Sequence, residues 1–164
     1  VLHLPVGYTG PFARRLNGLC QLEVLEAVEG LEMKPGRVII AQAGLHLSLI
    51  PSGPCAVAHL SYEPARSLHR PSVDELFKSA SETYGPRVLA IVMTGMGSDG
   101  TAGAAWIKAQ GGQVYTESES SAVIYGMPRS GVEAGLSDKN VTLEDLPNTI
   151  LEDIWRRPNE DPAD

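Results

Sequence analysis

The sequence predicts an α/β protein: a doubly wound, mainly parallel sheet with helices on both faces and a β-hairpin at one edge. Helical patterns alternate with short apolar segments along the chain, which is typical of a parallel sheet covered on both faces. Residues 88–93 have the sequence VLAIVM, and a strand that is apolar at every position is typically buried on both faces. We therefore expect a three-layer α/β/α architecture.

The first half of the chain carries short elements. Residues 1–5 have the pattern of the end of a strand and the loop that follows it. Thr9 and Pro11 begin a short helix that ends near Gly18, because proline favours the first turn of a helix and glycine its end. Four strand patterns separated by turn residues follow, at residues 22–25, 37–41, 45–49 and 56–60. The last two of these strands predict the hairpin.

The second half of the chain carries the longer elements. Ser72 is predicted to cap the clearest helix, with Glu75 three residues later completing a capping box, and Gly85-Pro86 end that helix. The remaining patterns predict a βαβ unit and a last helix: a strand at 88–93, a helix at 101–110, a strand at 114–117 and a helix capped by Thr142.

Composition limits the class of protein. The chain has 164 residues, which suits one domain, predicted at residues 1–155, with a polar tail at 156–164 expected to be frayed. The net charge of -7 comes without a basic stripe, which argues against a nucleic-acid partner. The longest apolar run is too short for membrane insertion. Cys20 and Cys55 lack metal-ligand spacing, so we expect no metal and a reduced, cytoplasmic setting.

The loop after the buried strand is the most informative segment. Residues 94–100 have the sequence TGMGSDG, and glycines at a helix N-terminus expose N–H groups that stabilise negative charge. Such a loop can bind a phosphate or a developing oxyanion. Gly95, Gly97 and Gly100 also fit a dinucleotide fingerprint, with Glu117 twenty residues after Gly97 as the ribose-binding acid. A purely structural glycine turn is a third interpretation.

His3 and Asp99 form the candidate catalytic pair. Both are expected at the carboxyl ends of neighbouring strands, where ligands and substrates bind in open α/β sheets. There an aspartate can fix the tautomer of a general-base imidazole. We therefore predict that their side chains lie within hydrogen-bond reach. His46, His59 and His69 lack such placement and are interpreted as surface or structural residues.

Several ordered motifs resemble the chemotaxis-type protein-glutamate methylesterases, the receptor methylesterase family. The resemblance covers nearly the whole chain, from Val1 to about Ile154. The matching segments are LHLP running into GYT and FARRL at the start, HRPSVD at residues 69–74, the loop at 94–100, and GMPR at 126–129.

The resemblance implies a serine esterase that hydrolyses glutamate γ-methyl esters on the cytoplasmic helices of chemoreceptors, and in related enzymes also deamidates receptor glutamines. It implies a Ser-His-Asp triad, with His3 as the general base, Asp99 as its orienting carboxylate and the Met96 backbone N–H as an oxyanion donor. Arg70 is a candidate substrate-binding residue. No cofactor is implied, and a receiver domain is an expected partner in the full protein.

The family's nucleophilic serine should precede His3 by about one βα unit, so we expect the domain to be N-terminally incomplete, with the nucleophile absent from this chain and the chain inactive alone. Ser98 matches a variable family position and is not a substitute. Leu2 and Leu4 replace the family's usual Gln and Met. Two alternatives remain: a nucleotide-binding α/β domain that uses residues 95–100, and a non-catalytic homologue that binds a partner.

Overall fold

The fold is a mixed α/β arrangement, which confirms the predicted class. The computed structural model describes residues 1–65 and 67–156, so most of the predicted frayed tail lies outside the described residues. The helices are α1 Thr9–Asn17, α2 Val73–Tyr84, α3 Thr101–Ala109, α4 Met127–Glu133 and α5 Leu146–Arg156. The strands are β1 Glu23–Glu26, β2 Arg37–Ile40, β3 His46–Ser52, β4 Cys55–Ser61, β5 Leu89–Val92, β6 Gln113–Glu117 and β7 Lys139–Val141.

The strands pair in three sheets. Parallel strands β1 and β2 form one, parallel strands in the order β5-β6-β7 form another, and the antiparallel hairpin β3-β4 forms the third. The hairpin therefore does not extend the parallel ladders. Instead α2 covers its β3 edge, where Leu49 N donates to Ser79 Oγ at 3.0 Å and Thr83 Oγ1 donates to Leu49 O at 3.2 Å.

Three local expectations differ from the structure. Residues 1–5 form no strand, because they join no ladder among the described residues. Helix α4 and strand β7 were not expected from the sequence. Helix α4 is short and contains Pro128 and Gly131, so it lacks the apolar periodicity that identified α2. Strand β7 has three residues, too few for an alternation pattern.

The packing of α2 against α3 brings two loop ends together. Gly103 on α3 lies so close to α2 that a Cβ atom there would be 2.6 Å from Phe77 Cβ and 2.9 Å from Asp74 Cα. This contact places the first turn of α2 beside the first turn of α3. The loop between β5 and α3 passes through the same place, with Gly97 at φ +91° and Gly100 at φ +98°, conformations that favour glycine.

No helix within the described ranges is both long enough and apolar enough to cross a membrane.

Candidate active site

His3 and Asp99 meet although 96 positions separate them in the chain. His3 Nε2 lies 2.8 Å from Asp99 Oδ2. The Asp99 side chain is buried, with 5% of its surface exposed, whereas that of His3 is 27% exposed. The contact agrees with the predicted hydrogen-bond distance. A buried carboxylate against a half-exposed imidazole is suited to holding one tautomer of a general base.

Asp99 accepts hydrogen bonds on both carboxylate oxygens. Oδ1 accepts from Ser72 Oγ at 2.8 Å and from Asp74 N at 3.1 Å. Oδ2 accepts from Val73 N at 2.8 Å in addition to His3. Burial by itself raises the pKa of Asp99, but these hydrogen bonds outweigh it and the pKa is lowered below its ordinary value. The carboxylate is therefore held ionised beside His3.

The predicted role of Ser72 as a side-chain cap is wrong. Ser72 stands at the N-cap position of α2, yet its side chain makes no capping hydrogen bond. Its hydroxyl donates to Asp99, and Asp99 accepts the first N–H groups of the helix in its place. A full negative charge is a stronger acceptor at a helix N-terminus than a neutral hydroxyl. The capping box is also absent, because Ser72 N donates to His46 Nδ1 at 3.3 Å.

Asp74 caps α3, just as Asp99 caps α2. Its Oδ1 accepts from Gly100 N at 2.9 Å and from Gly103 N at 2.7 Å, at the start of α3. Burial, and then the nearby charge of Asp99, raise the pKa of Asp74 despite these hydrogen bonds. Each of the two helices is therefore capped by an aspartate associated with the other helix, and the sequence pattern did not indicate this exchange.

His69 belongs to the site, which corrects its interpretation as a surface or structural residue. Its ring stacks on the ring of His3, with centroids 4.1 Å apart and an interplanar angle of 12°. The stack covers one face of the His3 ring, whereas the Asp99 hydrogen bond is made at the edge of the ring. His46 lies behind Ser72, with its Nε2 buried and without a hydrogen bond among the described residues. The only available sequence signal was that His69 is the first residue of the HRPSVD motif.

The glycine loop lies on the other side of His3. The Gly95 carbonyl accepts hydrogen bonds from Gly126 N at 3.1 Å and Met127 N at 2.8 Å. The Met96 N–H has no hydrogen-bond partner within the described ranges, and the Met96 side chain is 76% exposed. A cleft of about 300 Å³ joins the loop to the imidazole; it is lined by Val1, Leu2, His3, His69, Val73, Thr94, Gly95, Met96 and Met127.

Arg70 lies at the outer end of this region. Its NH2 group donates to Ala65 O at 3.1 Å, and the guanidinium lies 5.6 Å from the ring centroid of Tyr62. It shares a smaller polar depression with His3, Leu4, Pro5, Leu68 and His69. The guanidinium is thus close to the site but held mainly by its own loop, and its contact with a substrate stays a prediction.

Glu117 does not occupy the position that a ribose-binding acid requires. It is 1% exposed, and its carboxylate accepts from Thr94 N at 2.7 Å and Ser121 Oγ at 3.0 Å. These contacts hold the end of β5 and the start of the glycine loop, so the carboxylate serves the protein itself. The described residues also contain no cluster of His, Cys, Asp and Glu suited to a metal ion.

The chain is similar to known proteins over most of its length. The family model described as CheB methylesterase matches residues 1–150. A protein-glutamate methylesterase/protein-glutamine glutaminase of Myxococcus xanthus is 54% identical over 145 residues, which is 88% of this chain and 42% of that protein. A protein of the same name from Moorella thermoacetica is 46% identical over 92% of this chain and 36% of its own length.

The chain thus spans about two fifths of the length of the curated relatives it matches. Among solved structures, the Thermotoga maritima CheB methylesterase catalytic domain superposes with a TM-score of 0.88 at 37% identity, covering 92% of this chain and 79% of that one. The loop, the histidine and the buried aspartate all lie inside the matched residues. The chain belongs to the CheB methylesterase family.

Proposed function

We propose that this chain is most of the catalytic domain of a serine-type esterase that hydrolyses glutamate γ-methyl esters on chemoreceptors and releases methanol. The hydrogen bond between His3 and Asp99, at the edge of a cleft that also contains the glycine loop, carries this proposal. It combines a general base, its orienting carboxylate and an unpaired backbone donor in one place. Acyl transfer requires all three of these groups.

The contact of His3 Nε2 with the ionised Asp99 carboxylate supports a separate role for each ring nitrogen. Nε2–H donates to Asp99 Oδ2, so Nδ1 is the nitrogen that carries the lone pair. Nδ1 makes no hydrogen bond among the described residues and is therefore free to accept a proton. Asp99 fixes this tautomer and stabilises the imidazolium that forms when Nδ1 is protonated.

The nucleophile is a serine supplied by part of the natural protein outside these 164 residues. No hydroxyl or thiol among the described residues is hydrogen-bonded to His3. The Ser72 hydroxyl donates to Asp99 and not to His3, and Ser98, the chain neighbour of Asp99, makes no hydrogen bond to His3 either. The curated relatives are more than twice as long as this chain, which leaves room for such a segment.

The reaction then proceeds by two acyl transfers. The serine oxygen attacks the ester carbonyl as its proton passes to His3 Nδ1, and the carbonyl electron pair becomes an oxyanion that the Met96 N–H stabilises. Collapse of this intermediate breaks the bond to methoxide, which takes the proton from His3 and leaves as methanol. Water, deprotonated by His3, then releases the glutamate carboxylate. Attack on a glutamine side chain follows the same steps and releases ammonia.

The finer biological assignments are also proposals. The methyl esters lie on cytoplasmic receptor helices, the enzyme works in the cytoplasm, and a receiver domain accompanies it in the natural protein. The length of the relatives supports an additional domain. A net charge of -7 favours a protein substrate over a nucleic acid. No cofactor has a role in these steps.

The experiment uses the natural protein that contains these residues. His3→Gln should reduce methanol release from methylated receptor by at least about 10³-fold, because the general base is lost. His59→Gln is the matched control, since the His59 side chain is 45% exposed and pairs with Glu29, away from the His3–Asp99 contact. Retention of near-normal turnover by His3→Gln would exclude the triad.

Two other outcomes separate the alternative functions. Saturable binding of NAD or NADP that Gly97→Val abolishes would favour the nucleotide-binding domain. Receptor binding without any methanol release in the natural protein would favour the non-catalytic homologue.

A further inference from the structure

We propose that Gly126 is a positioning residue: together with Met127 it sets the direction of the Met96 N–H and allows this group to act as the oxyanion donor. This inference rests on the proposed function, because it assigns a purpose to a contact at the oxyanion site. It concerns the backbone of residues 126 and 127, which does not touch the substrate in the mechanism above.

The geometry follows from one peptide plane. The Gly95 carbonyl and the Met96 N–H belong to the same peptide unit, which is planar and trans, so the two groups point in opposite directions. Gly126 N and Met127 N both donate to the Gly95 carbonyl, at 3.1 and 2.8 Å. The N–H of Met96 must therefore point away from residues 126 and 127, and the carbonyl cannot rotate without losing both bonds.

The same two bonds polarise the donor. A carbonyl that accepts hydrogen bonds withdraws electron density from its own peptide nitrogen. Cooperative effects of this kind strengthen a hydrogen bond by about 10–30% per bond. The Met96 N–H is thus both oriented and made a stronger donor before any oxyanion forms.

A second pair of contacts prevents the peptide from shifting sideways. Gly95 N donates to Ile124 O at 3.0 Å, so Gly95 is held on both sides by the segment that leads into α4. A Cβ atom on Gly95 would be 2.3 Å from Met127 Sδ. The Met127 side chain therefore packs directly against this peptide, and a side chain at position 95 would have to displace it.

Gly126 is the point of closest approach. A Cβ atom there would be 2.6 Å from Gly95 O, 3.0 Å from Gly97 N and 3.1 Å from Met96 Cα. All three neighbours are backbone atoms of the loop. The backbone of Gly126 has φ -103° and ψ -69°, so the conformation itself does not require glycine. The requirement comes from the contact with the loop.

The test is Gly126→Ala in the natural protein. The methyl group must displace the Gly95-Met96 peptide, so we expect kcat to fall about 10- to 100-fold, somewhat less than loss of a complete oxyanion donor, with KM unchanged. Gly18→Ala is the matched control, because a Cβ atom at Gly18 would approach no atom closer than 3.6 Å. A proportional rise in KM with constant kcat would overturn the proposal.

A second measurement does not depend on activity. Residual dipolar couplings report the direction of a backbone N–H bond, and the coupling of Met96 should change in Gly126→Ala while those of β6 remain as in the wild type. An unchanged Met96 coupling would overturn the positioning role even if activity fell. If the natural protein has no esterase activity although its Met96 coupling changes in Gly126→Ala, that result would instead contradict the proposed function.

Ser130→Ala provides a milder variant in case Gly126→Ala does not fold. The Ser130 hydroxyl is shared between Gly126 O at 3.1 Å and Gly97 O at 3.4 Å, and its removal introduces no close contact. We expect changes of the same sign in kcat and in the Met96 coupling, with smaller size. If Gly126→Ala does not fold and Ser130→Ala changes neither quantity, the proposal is wrong.

Discussion

Asp99 serves two purposes with one carboxylate at the residue scale. It holds His3 through Oδ2 and it caps α2 by accepting from Val73 N and Asp74 N. From the sequence of the loop alone, Asp99 is interpreted either as a catalytic aspartate or as a helix cap. The structure shows that a single side chain makes both sets of contacts, because its two oxygens have enough lone pairs for four donors.

The Asp99→Asn variant should therefore lose both activity and stability. An amide has only one acceptor oxygen. Its NH2 group must therefore face N–H or O–H groups that now donate hydrogen bonds to the carboxylate. With the imidazole in the wrong tautomer, kcat in the natural protein should fall about 10⁴-fold, or roughly 5.5 kcal/mol of barrier. Unsatisfied donors should lower the free energy of unfolding by about 2 kcal/mol.

Turnover and urea denaturation measure the two effects separately. Ser72→Ala is the matched control, because it removes one donor to Oδ1 and leaves the contact between Oδ2 and His3. Its kcat should fall less than about 10-fold, the equivalent of one ordinary hydrogen bond. Near-normal turnover of Asp99→Asn would mean that the carboxylate is a helix cap alone.

The contact between His3 and Asp99 could be predicted from the sequence because each residue lies in or beside a recognisable element or motif. The sequence could not indicate the stacking of His69 on His3 or the bond from Ser72 to Asp99. Both are contacts between segments distant in the chain, and neither residue has a local pattern that specifies its partner. The sequence around Ser72 predicts a side-chain helix cap, but the Asp99 carboxylate takes that role.

The exchange of caps between α2 and α3 is a feature at the element scale. Asp74, in the first turn of α2, caps α3, and Asp99, before α3, caps α2. The arrangement places two carboxylates close together, and the charge of Asp99 contributes to raising the pKa of Asp74. Their pKa values move in opposite directions: that of Asp99 is lowered and that of Asp74 is raised, chiefly by burial.

Asp74→Asn should consequently be more stable than the wild type at pH 7. Its Oδ1 can still accept from Gly100 N and Gly103 N, while the unfavourable charge is removed. Because the pKa of Asp74 is raised in the folded state, the folded protein binds a proton before the unfolded chain does as the pH falls. The wild type therefore gains stability between this raised pKa and the unfolded value of about 3.9.

Urea denaturation midpoints measured between pH 4 and pH 7 should show the advantage of Asp74→Asn shrinking as the pH falls. Asp74→Ala, which lacks the capping oxygen, is the control and should be less stable than the wild type at both ends of this range. A stability difference between Asp74→Asn and the wild type that does not depend on pH would contradict the raised pKa.

Elements with strong local patterns were predictable, and those defined by their neighbours were not. Helix α2 has an apolar stripe, and strand β5 is apolar throughout, so both were found. Helix α4 is formed where residues 126 and 127 bond to Gly95, and β7 exists because β6 offers it a parallel edge. These partners lie far away in the sequence, so no local window contains the information.

At the scale of the whole molecule, the site is assembled from four separate stretches of chain. The start of the chain supplies His3, and the entry to α2 supplies His69 and Ser72. The loop before α3 supplies Asp99 and Met96, and residues 126–127 hold this loop. Packing of α2 against α3 brings the second and third of these stretches together. The close contact at Gly103 is the centre of that packing.

Gly103→Ala should therefore destabilise the entire domain. The new methyl group would meet Phe77 Cβ at 2.6 Å and backbone atoms of Asp74 at 2.9 and 3.0 Å, and backbone cannot move aside as a flexible side chain can. Helix propensity favours alanine by about 1 kcal/mol, but overpacking of this kind costs about 1–3 kcal/mol or more. We expect a net loss of about 2 kcal/mol, which corresponds to a decrease of about 4–8 °C in Tm for a chain of this size.

The measurement is urea and thermal denaturation of the variant beside Gly18→Ala, whose new Cβ atom would make only ordinary contacts. The denaturation midpoint should fall while the slope with urea stays constant, because the surface exposed on unfolding is the same. Across this contact Asp74 accepts hydrogen bonds from Gly100 N and Gly103 N. Separation of the helices should therefore also weaken the capping of α3 by Asp74. A midpoint equal to that of the wild type would show that α2 and α3 do not approach as closely as this packing requires.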